Sequence, residues 1–464
     1  MNDELKAASL SSFITPHSSF IVMETLTLFE HEQSPDGFDL TEREQAALER
    51  LNRAVGSEVL RPVLRGRRIG VRATQYVGVV RLGRRAVQVL PKIHRVGPAK
   101  ARGLEERDGR IKEATHNLLH MLATAGRLPV REHSLAPLAG DADDWFEILT
   151  RLFATHLLEE WQRGAHRHYQ TVEDELPVLK GRWRVAEHLR KPARSHLFPV
   201  AFDEFTADNS LNRVFRFVVE RLWQLSRDAH NRRVLGELRQ WMEEVRLLTH
   251  VNAREAAPAL LTRLNARYEP LLNLARLFLE GGSLRLAARD FTTYAFVFDM
   301  NKLFEEFIIG FIRRRRESVL PEQLRMCSLL PQSHPSPHYL ARERNGQPVF
   351  QLHPDLAFRI GDKFPLLLDT KYKRLDPGDR PSPSDFYQMH AYARRYKCPR
   401  VILLYPQTAE TAAPRRDRFT LEDEGGGHIE AATLDLRADL STAQGRDALA
   451  NELKKILGGT DESS

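Results

Sequence analysis

The sequence predicts an α+β multidomain chain: an N-terminal β-rich module, a mainly helical middle and a C-terminal α/β domain. Three observations carry this. Residues 63–93 return repeatedly to alternating apolar and polar side chains, the pattern of half-buried strands. Residues 106–290 are dominated by segments with apolar side chains at helical spacing. From residue 291 the order reads helix, strand, strand, helix, strand. A length of 464 residues holds two or three domains. The expected boundaries are a loose tail at 1–17, the β-rich module at 18–105, the helical region at 106–290, the α/β domain at 291–455 and a mobile tail at 456–464.

The elements follow in order. Residues 18–30 (SSFIVMETLTLFE) are rich in β-branched and aromatic side chains and read as a strand. Residues 41–54 read as a helix with Thr41 as N-cap and Gln45 nearby. Two strands follow, IGVRATQYVGVVRL and AVQVLPKI, with a hairpin turn at Gly83-Arg84-Arg85. Helices are expected over 112–126, 143–170, 209–248 and 258–281, with a mixed stretch at 172–202. Trp161, Trp183, Trp223 and Trp241 are assigned to the core. FVFDMNKLFEEFIIGFIRRRR reads as one helix, PVFQLHPDLAFRI and FPLLLDTKYKRL as two strands turning at Gly361-Asp362-Lys363, DFYQMHAYARRY as a helix and VILLYP as a buried strand.

Composition narrows the function classes. Apolar residues are 42 % and charged residues 28 %, the balance of a globular chain. The two cysteines, Cys327 and Cys398, exclude a disulfide framework and a Cys-based zinc site. No run of about 18 apolar residues predicts a membrane helix. The start MNDELKAASL lacks the basic-then-apolar pattern of a signal peptide, so the expected compartment is a reducing cytoplasm, with no membrane partner. There is no Gly-Lys dipeptide and hence no Walker A loop, so any nucleotide dependence has to come from a partner.

The net charge of +7 is unevenly placed. Residues 61–103 hold twelve Lys and Arg side chains and no Asp or Glu, which leaves the remainder net acidic. Such a run suits a polyanion or an acidic protein surface, and Arg65, Arg67, Arg68, Arg84 and Arg85 are taken as its contacts to a partner or to DNA. A solvated basic face carries the same pattern.

The segment HPDLAFRIGDKFPLLLDTKYK carries the chemistry. Asp355 is placed on the first strand of a hairpin, and Asp369 and Lys371 lie two apart on the second, sharing a face. Two carboxylates converging across a hairpin form a hard oxygen site suited to Mg²⁺, which activates water and stabilises charge on a phosphate. The lysine positions or deprotonates water, or neutralises the phosphate. Gln388 and Tyr392, four apart on the next helix, face the same way: Gln388 toward a metal water or a DNA backbone group, Tyr392 toward a phosphate. Glu305 or Glu306, on the helix before the strands, supplies a third carboxylate. Read singly, Asp355 is a turn residue and Asp369/Lys371 a strand-edge ion pair; the ordered set is much harder to obtain by chance.

The set Pro354-Asp355, Asp369-Thr370-Lys371 and Gln388…Tyr392 resembles the PD-(D/E)xK superfamily of nucleases, in the branch with a Q-x-x-x-Y helix. Together with YVGVVRLGRRAVQVLPKI, EDELPVLKGRWR, DEFTADNSLNR and DMNKLFEEF, it is similar to the McrC family, the nuclease subunits of McrBC 5-methylcytosine restriction systems. The likeness runs from about residue 20 to about residue 410. It implies a restriction-endonuclease-like C-terminal domain with Asp355, Asp369 and Lys371 as the catalytic set, Mg²⁺ at Asp355, Asp369 and Glu305, and Gln388 and Tyr392 in support. It also implies a hexameric McrB-like AAA+ GTPase as partner, which binds the GTP, recognises and translocates along modified double-stranded DNA, and is stimulated by the inserted N-terminal half. Two alternatives stand beside it: a ring-binding GTPase activator whose nuclease is secondary, and a stand-alone repair or recombination nuclease.

Overall fold

The computed structural model describes residues 24–459 except 84, 96–102, 129–144, 252–253, 258–259, 284–292, 333–337, 376–377, 410–412 and 423–424. The expected N-terminal tail, the first residues of the strand expected at 18–30, and Arg84 at the hairpin turn lie outside the described residues.

The N-terminal module consists of β1 (Glu24–Phe29), α1 (Glu42–Val55), β2 (Leu60–Arg65), β3 (Arg68–Ala73), β4 (Tyr76–Leu82) and β5 (Arg85–Leu90). Thr41 caps α1 in a reciprocal capping box, with Glu44 rather than Gln45 as the returning carboxylate. β2 and β3 form a separate hairpin turning at Gly66-Arg67. After β5 a short 3₁₀ turn spans Lys92–His94.

The middle comprises α2 (Gly103–Thr124), α3 (Trp145–Gln162), β6 (His168–Leu176), β7 (Arg182–Trp183), α4 (Val185–Leu189), β8 (Phe198–Thr206), α5 (Ser210–Leu225), α6 (Ala229–Trp241) and α7 (Glu269–Ser283). The stretch expected to be mixed is a three-stranded sheet of order β6-β8-β7, which also takes the end of the helix expected through residue 170.

The C-terminal region runs β9 (Thr293–Asp299), α8 (Met300–Arg314), α9 (Arg316–Val319), β10 (Ser328–Pro331), β11 (His338–Arg342), β12 (Pro348–Leu352), β13 (Leu356–Ile360), β14 (Lys363–Thr370), α10 (Pro383–Tyr396), β15 (Arg400–Gln407), β16 (Arg416–Thr420), β17 (His428–Asp435) and α11 (Ala443–Gly458). The main sheet has the order β10-β13-β14-β15-β17-β16, antiparallel at its ends and parallel from β14 through β15 to β17.

Four expectations are corrected. The helix expected from Phe296 begins at Met300, capped by Asp299; the residues before it form β9, which crosses back to pair with β4 in a sheet of order β1-β5-β4-β9. Gly78, at φ 126°, permits this close pairing, because a Cβ there would lie 1.9 Å from the Phe296 carbonyl oxygen. Second, PVFQLHPDLAFRI is two strands, since β12 pairs with β11 and Pro354 interrupts the run before β13. Third, α11 continues through Gly458, and Ile456 and Leu457 are buried, so the expected tail from 456 starts as packed helix. Fourth, Trp183 and Trp241 are 41 % and 49 % exposed and are not core residues, whereas Trp161 is buried.

One face of the β1-β5-β4-β9 sheet packs on α1 and the β2–β3 hairpin through Leu28, Leu48, Leu51, Val71 and Val80. Its other face enters the main core, which continues through α2, α3, α5, α7 and α8 to one face of the six-stranded sheet at Leu356, Leu366, Leu368, Ile402 and Leu404. The opposite face of that sheet packs against α10 through Leu367, Leu403, Met389 and Tyr392. Asn117 of α2 bonds the carbonyls of Leu436 and Ala438 and the N–H of Leu440, tying the middle to the last strand.

Five described cations of the basic run meet acids of the segment before it. Arg61 pairs with Glu58, Arg65 with Asp36, Arg68 with Asp39, and Arg95 with Glu32. Arg85, expected to contact a partner or DNA, points inward: Nε donates to Glu44 Oε1 at 2.9 Å, its second nitrogen binds Glu44 Oε2, and its guanidinium lies over Phe38. Arg65 is bonded to the Ser34 carbonyl and is mostly covered. Arg67, at the β2–β3 turn, and Arg68 stay exposed. Charge counted along the chain overstated the outward field because opposite charges meet across the fold.

Candidate active site

The β13–β14 hairpin sets the site. Leu356 pairs with Leu368, which places Asp355, just before β13, opposite Asp369 at the end of β14. Both carboxylates are buried, Asp369 at 1 % exposure. Thr370 donates its N–H and its hydroxyl to Asp355 Oδ2, each at 2.7 Å. Lys371 Nζ lies 2.7 Å from Asp369 Oδ2. Each of these contacts engages one oxygen of a carboxylate and leaves the other to further partners.

Charge is crowded here. Burial pushes the Asp369 carboxyl above its ordinary range and Asp355 adds to this, while Lys371 opposes it. Burial also raises Asp355, against the two bonds from Thr370. Glu305 of α8 is pushed up to about 7 by burial, then by Asp355 and Glu306. Burial pulls the Lys371 ammonium down, but Asp369, Asp355 and Asp385 outweigh it and leave it above the usual lysine range.

Helix geometry separates the two glutamates. Glu305 faces the hairpin carboxylates, whereas Glu306 is turned away onto Arg127 of the loop after α2, at 2.6 Å and 2.5 Å. Gln388 donates to the Tyr392 hydroxyl at 2.8 Å, and that hydroxyl donates to the His353 carbonyl at 3.0 Å. Tyr392 is buried near both Asp369 and Asp355, and through the His353 carbonyl its hydroxyl braces the segment leading into Asp355. Gln388 is exposed beside it.

The structure thus brings Asp355, Asp369, Lys371, Glu305, Gln388 and Tyr392 to one end of the hairpin. It does not bring Arg65, Arg67, Arg68 or Arg85 there. Thr370 was missed, although it stands inside the Asp369-Thr370-Lys371 triplet and a hydroxyl between two charged residues was the available signal. The buried partners of the next residue, Tyr372, were missed as well; no local pattern marks them.

The donor set suits a divalent cation. Asp355 and Glu305 push Asp369 up and Asp355 pushes Glu305 up, a repulsion that a dication relieves. Among the described residues no three such groups close into a ready-made metal cage. Mg²⁺ does not require one, since it takes one or two carboxylates and completes its shell with water and substrate oxygens.

Fold and site together define a mixed α+β chain with a buried carboxylate–lysine cluster at the mouth of a hairpin in a six-stranded sheet. The chain belongs to the McrBC 5-methylcytosine restriction system component family, whose family model matches residues 71–406. It is similar to a chain of the refined half-complex from the tetradecameric assembly of Thermococcus gammatolerans McrB AAA+ hexamers with bound McrC: 25 % identity, TM-score 0.72, covering 93 % of this chain and 100 % of that one. A chain of the Thermococcus gammatolerans McrBC complex, solved by cryo-EM, matches at 27 % identity and a TM-score of 0.48, covering 62 % of this chain and 87 % of that one. No curated protein matches the chain. No helix among the described residues is long and apolar enough to cross a membrane.

Proposed function

We propose that this chain is the DNA-cleaving subunit of a modification-dependent McrBC-type restriction system, a Mg²⁺-dependent endonuclease of PD-(D/E)xK type that works on a McrB-like hexameric AAA+ GTPase and stimulates its GTP hydrolysis. The observation that carries it is the convergence of Asp355, Asp369 and Lys371, with Glu305 beside them. Asp355 and Asp369 would hold the ion, with water and substrate oxygens completing its shell, and Glu305 is the third carboxylate expected to join them. When bound, it supplies Lewis acidity toward a phosphate oxygen and lowers the pKa of water. Lys371, oriented by Asp369, sets a positive charge where negative charge builds on the phosphate. The two bonds from Thr370 favour the ionised form of Asp355 and aim it. Gln388 and Tyr392 hold the His353–Asp355 segment in register.

The partner half of the proposal is supported by the solved assembly of hexamers with bound McrC and by an exposed apolar surface on the middle sheet. Tyr169 and Phe205, 72 % and 53 % exposed, face each other across β6 and β8 with ring centroids 4.9 Å apart. An exposed aromatic pair on a sheet suits contact with a protein partner. This pair, rather than the partly paired basic run, is assigned to the ring.

The test is cleavage of 5-methylcytosine-containing DNA by the full chain with a McrB-like partner, GTP and Mg²⁺. Cleavage that survives Asp369→Ala undiminished would remove the site assignment.

A further inference from the structure

The N-terminal sheet and the catalytic hairpin meet at one buried cluster. Glu30, the residue after β1, is fully buried. Its Oε2 accepts the Tyr372 hydroxyl at 2.7 Å and the Lys92 N–H at 2.8 Å. Lys92 opens the 3₁₀ turn after β5, the strand that pairs in parallel with β1. Its ammonium donates to the Tyr372 carbonyl at 2.9 Å and lies 4.1 Å from the centre of the Tyr372 ring. The same turn reaches the catalytic sheet a second time, where the Ile93 carbonyl accepts the Ala409 N–H at 3.0 Å.

Tyr372 immediately follows Lys371. Two N-terminal groups therefore hold both ends of this residue, Glu30 the hydroxyl and Lys92 the main-chain carbonyl. The ring is gripped from the other side by Phe304, at 5.6 Å, and Phe304 precedes Glu305 on α8. β14 ends at Thr370, so Lys371 has left the hydrogen-bonded ladder except for its N–H to the Leu404 carbonyl at 2.9 Å. A lysine just past a strand end takes part of its placement from whatever pins the next residue. A misplacement on the order of 1 Å at a reacting group costs about a hundredfold in rate.

We infer that Glu30 and Lys92 are positioning residues for Lys371, acting through Tyr372, so that the seating of the N-terminal sheet sets the geometry of the cleavage site. This rests on the nuclease reading above. A displacement of β1 or of the Lys92–His94 turn is passed to Tyr372, because both contacts are short and join the N-terminal module to this residue directly. The hydroxyl contact and the carbonyl contact fix different directions. Together they fix the Tyr372 ring and the peptide that follows it, one residue from Lys371.

The experiment uses the full chain with its GTPase partner, GTP and Mg²⁺, and reads DNA cleavage and GTPase stimulation side by side. Glu30→Leu and Lys92→Met are expected to lower kcat for cleavage by about ten- to a hundredfold, with KM for DNA and GTPase stimulation near those of the unchanged chain. Glu30→Gln, which keeps an oxygen acceptor, restores most of the rate. Tyr372→Phe keeps the ring and the carbonyl and loses only the hydroxyl contact; it is the mildest variant, folds most readily and is expected to fall between. Unchanged cleavage in Lys92→Met and Tyr372→Phe overturns the inference while leaving the nuclease reading intact. Parallel loss of cleavage and GTPase stimulation in Tyr372→Phe also overturns it, since that marks general damage. Absence of cleavage by the unchanged chain, equal to that of Asp369→Ala, overturns the nuclease reading and this inference with it.

Discussion

Thr370 gives both its N–H and its hydroxyl to a single oxygen of Asp355, each at 2.7 Å. Two donors on one buried oxygen favour the ionised carboxylate, against a burial that pushes it toward the neutral acid. Thr370→Val keeps the shape and removes one donor. It is expected to lower cleavage about tenfold, in line with the 1–3 kcal/mol attached to an unmade bond at a buried group. The deficit should be larger at pH 6 than at pH 8.5, because the Asp355 carboxyl moves further up. A pH-independent deficit in the rate profile would speak against this role.

Asp369→Ala is expected to reduce cleavage by at least about a hundredfold while leaving GTPase stimulation of the partner intact. The two activities are read in one assay mixture. Loss of both would place Asp369 in the fold rather than in the chemistry.

Glu305 gives a pH-dependent stability with a defined sign. Its carboxyl stands near 7 in the folded chain against an ordinary 4.5. Between those values the folded state binds more protons than the unfolded one, so stability falls as pH rises through that window. Glu305→Gln removes the ionisation. Its Tm relative to the unchanged chain should climb from about pH 4.5 to about pH 7 and level off above. Calorimetry in chelator, from acid to alkaline pH, measures this; parallel Tm curves would contradict it. Added Mg²⁺ at pH 8 should raise the Tm of the unchanged chain more than that of the variant.

Arg85 separates charge that holds the fold from charge that meets a partner. Arg85→Ala strands the buried Glu44 carboxylate and is expected to cost about 3 kcal/mol of stability. Arg67→Ala, at an exposed turn, should stay within about 0.5 kcal/mol. Denaturant unfolding of the two variants checks the contrast, and equal stabilities would refute it.

Phe205→Asp tests the exposed sheet. The side chain is more than half exposed, so stability should shift by no more than about 0.5 kcal/mol. GTPase stimulation should fall at least about tenfold, since a charge placed in an apolar contact of a docked partner costs several kcal/mol. Full stimulation by the variant would move the docking surface elsewhere.

The sequence by itself determined the chemistry-bearing positions. Asp369 and Lys371 lie two apart at and just past a strand end, Gln388 and Tyr392 share a helix face because they lie four apart, and Pro354 marks the entry to the hairpin. These are short-range facts, decided by the repeat of a strand or a helix. Only the tertiary structure decided the rest. It sent β9 back to β4, chose Glu305 over Glu306, turned Arg85 inward onto Glu44, and joined Glu30 to Tyr372 across 342 positions of chain. Local periodicity says which side of an element is apolar, but not which distant element will meet it. Where a charged side chain finds its counter-charge therefore becomes visible only when the chain has folded.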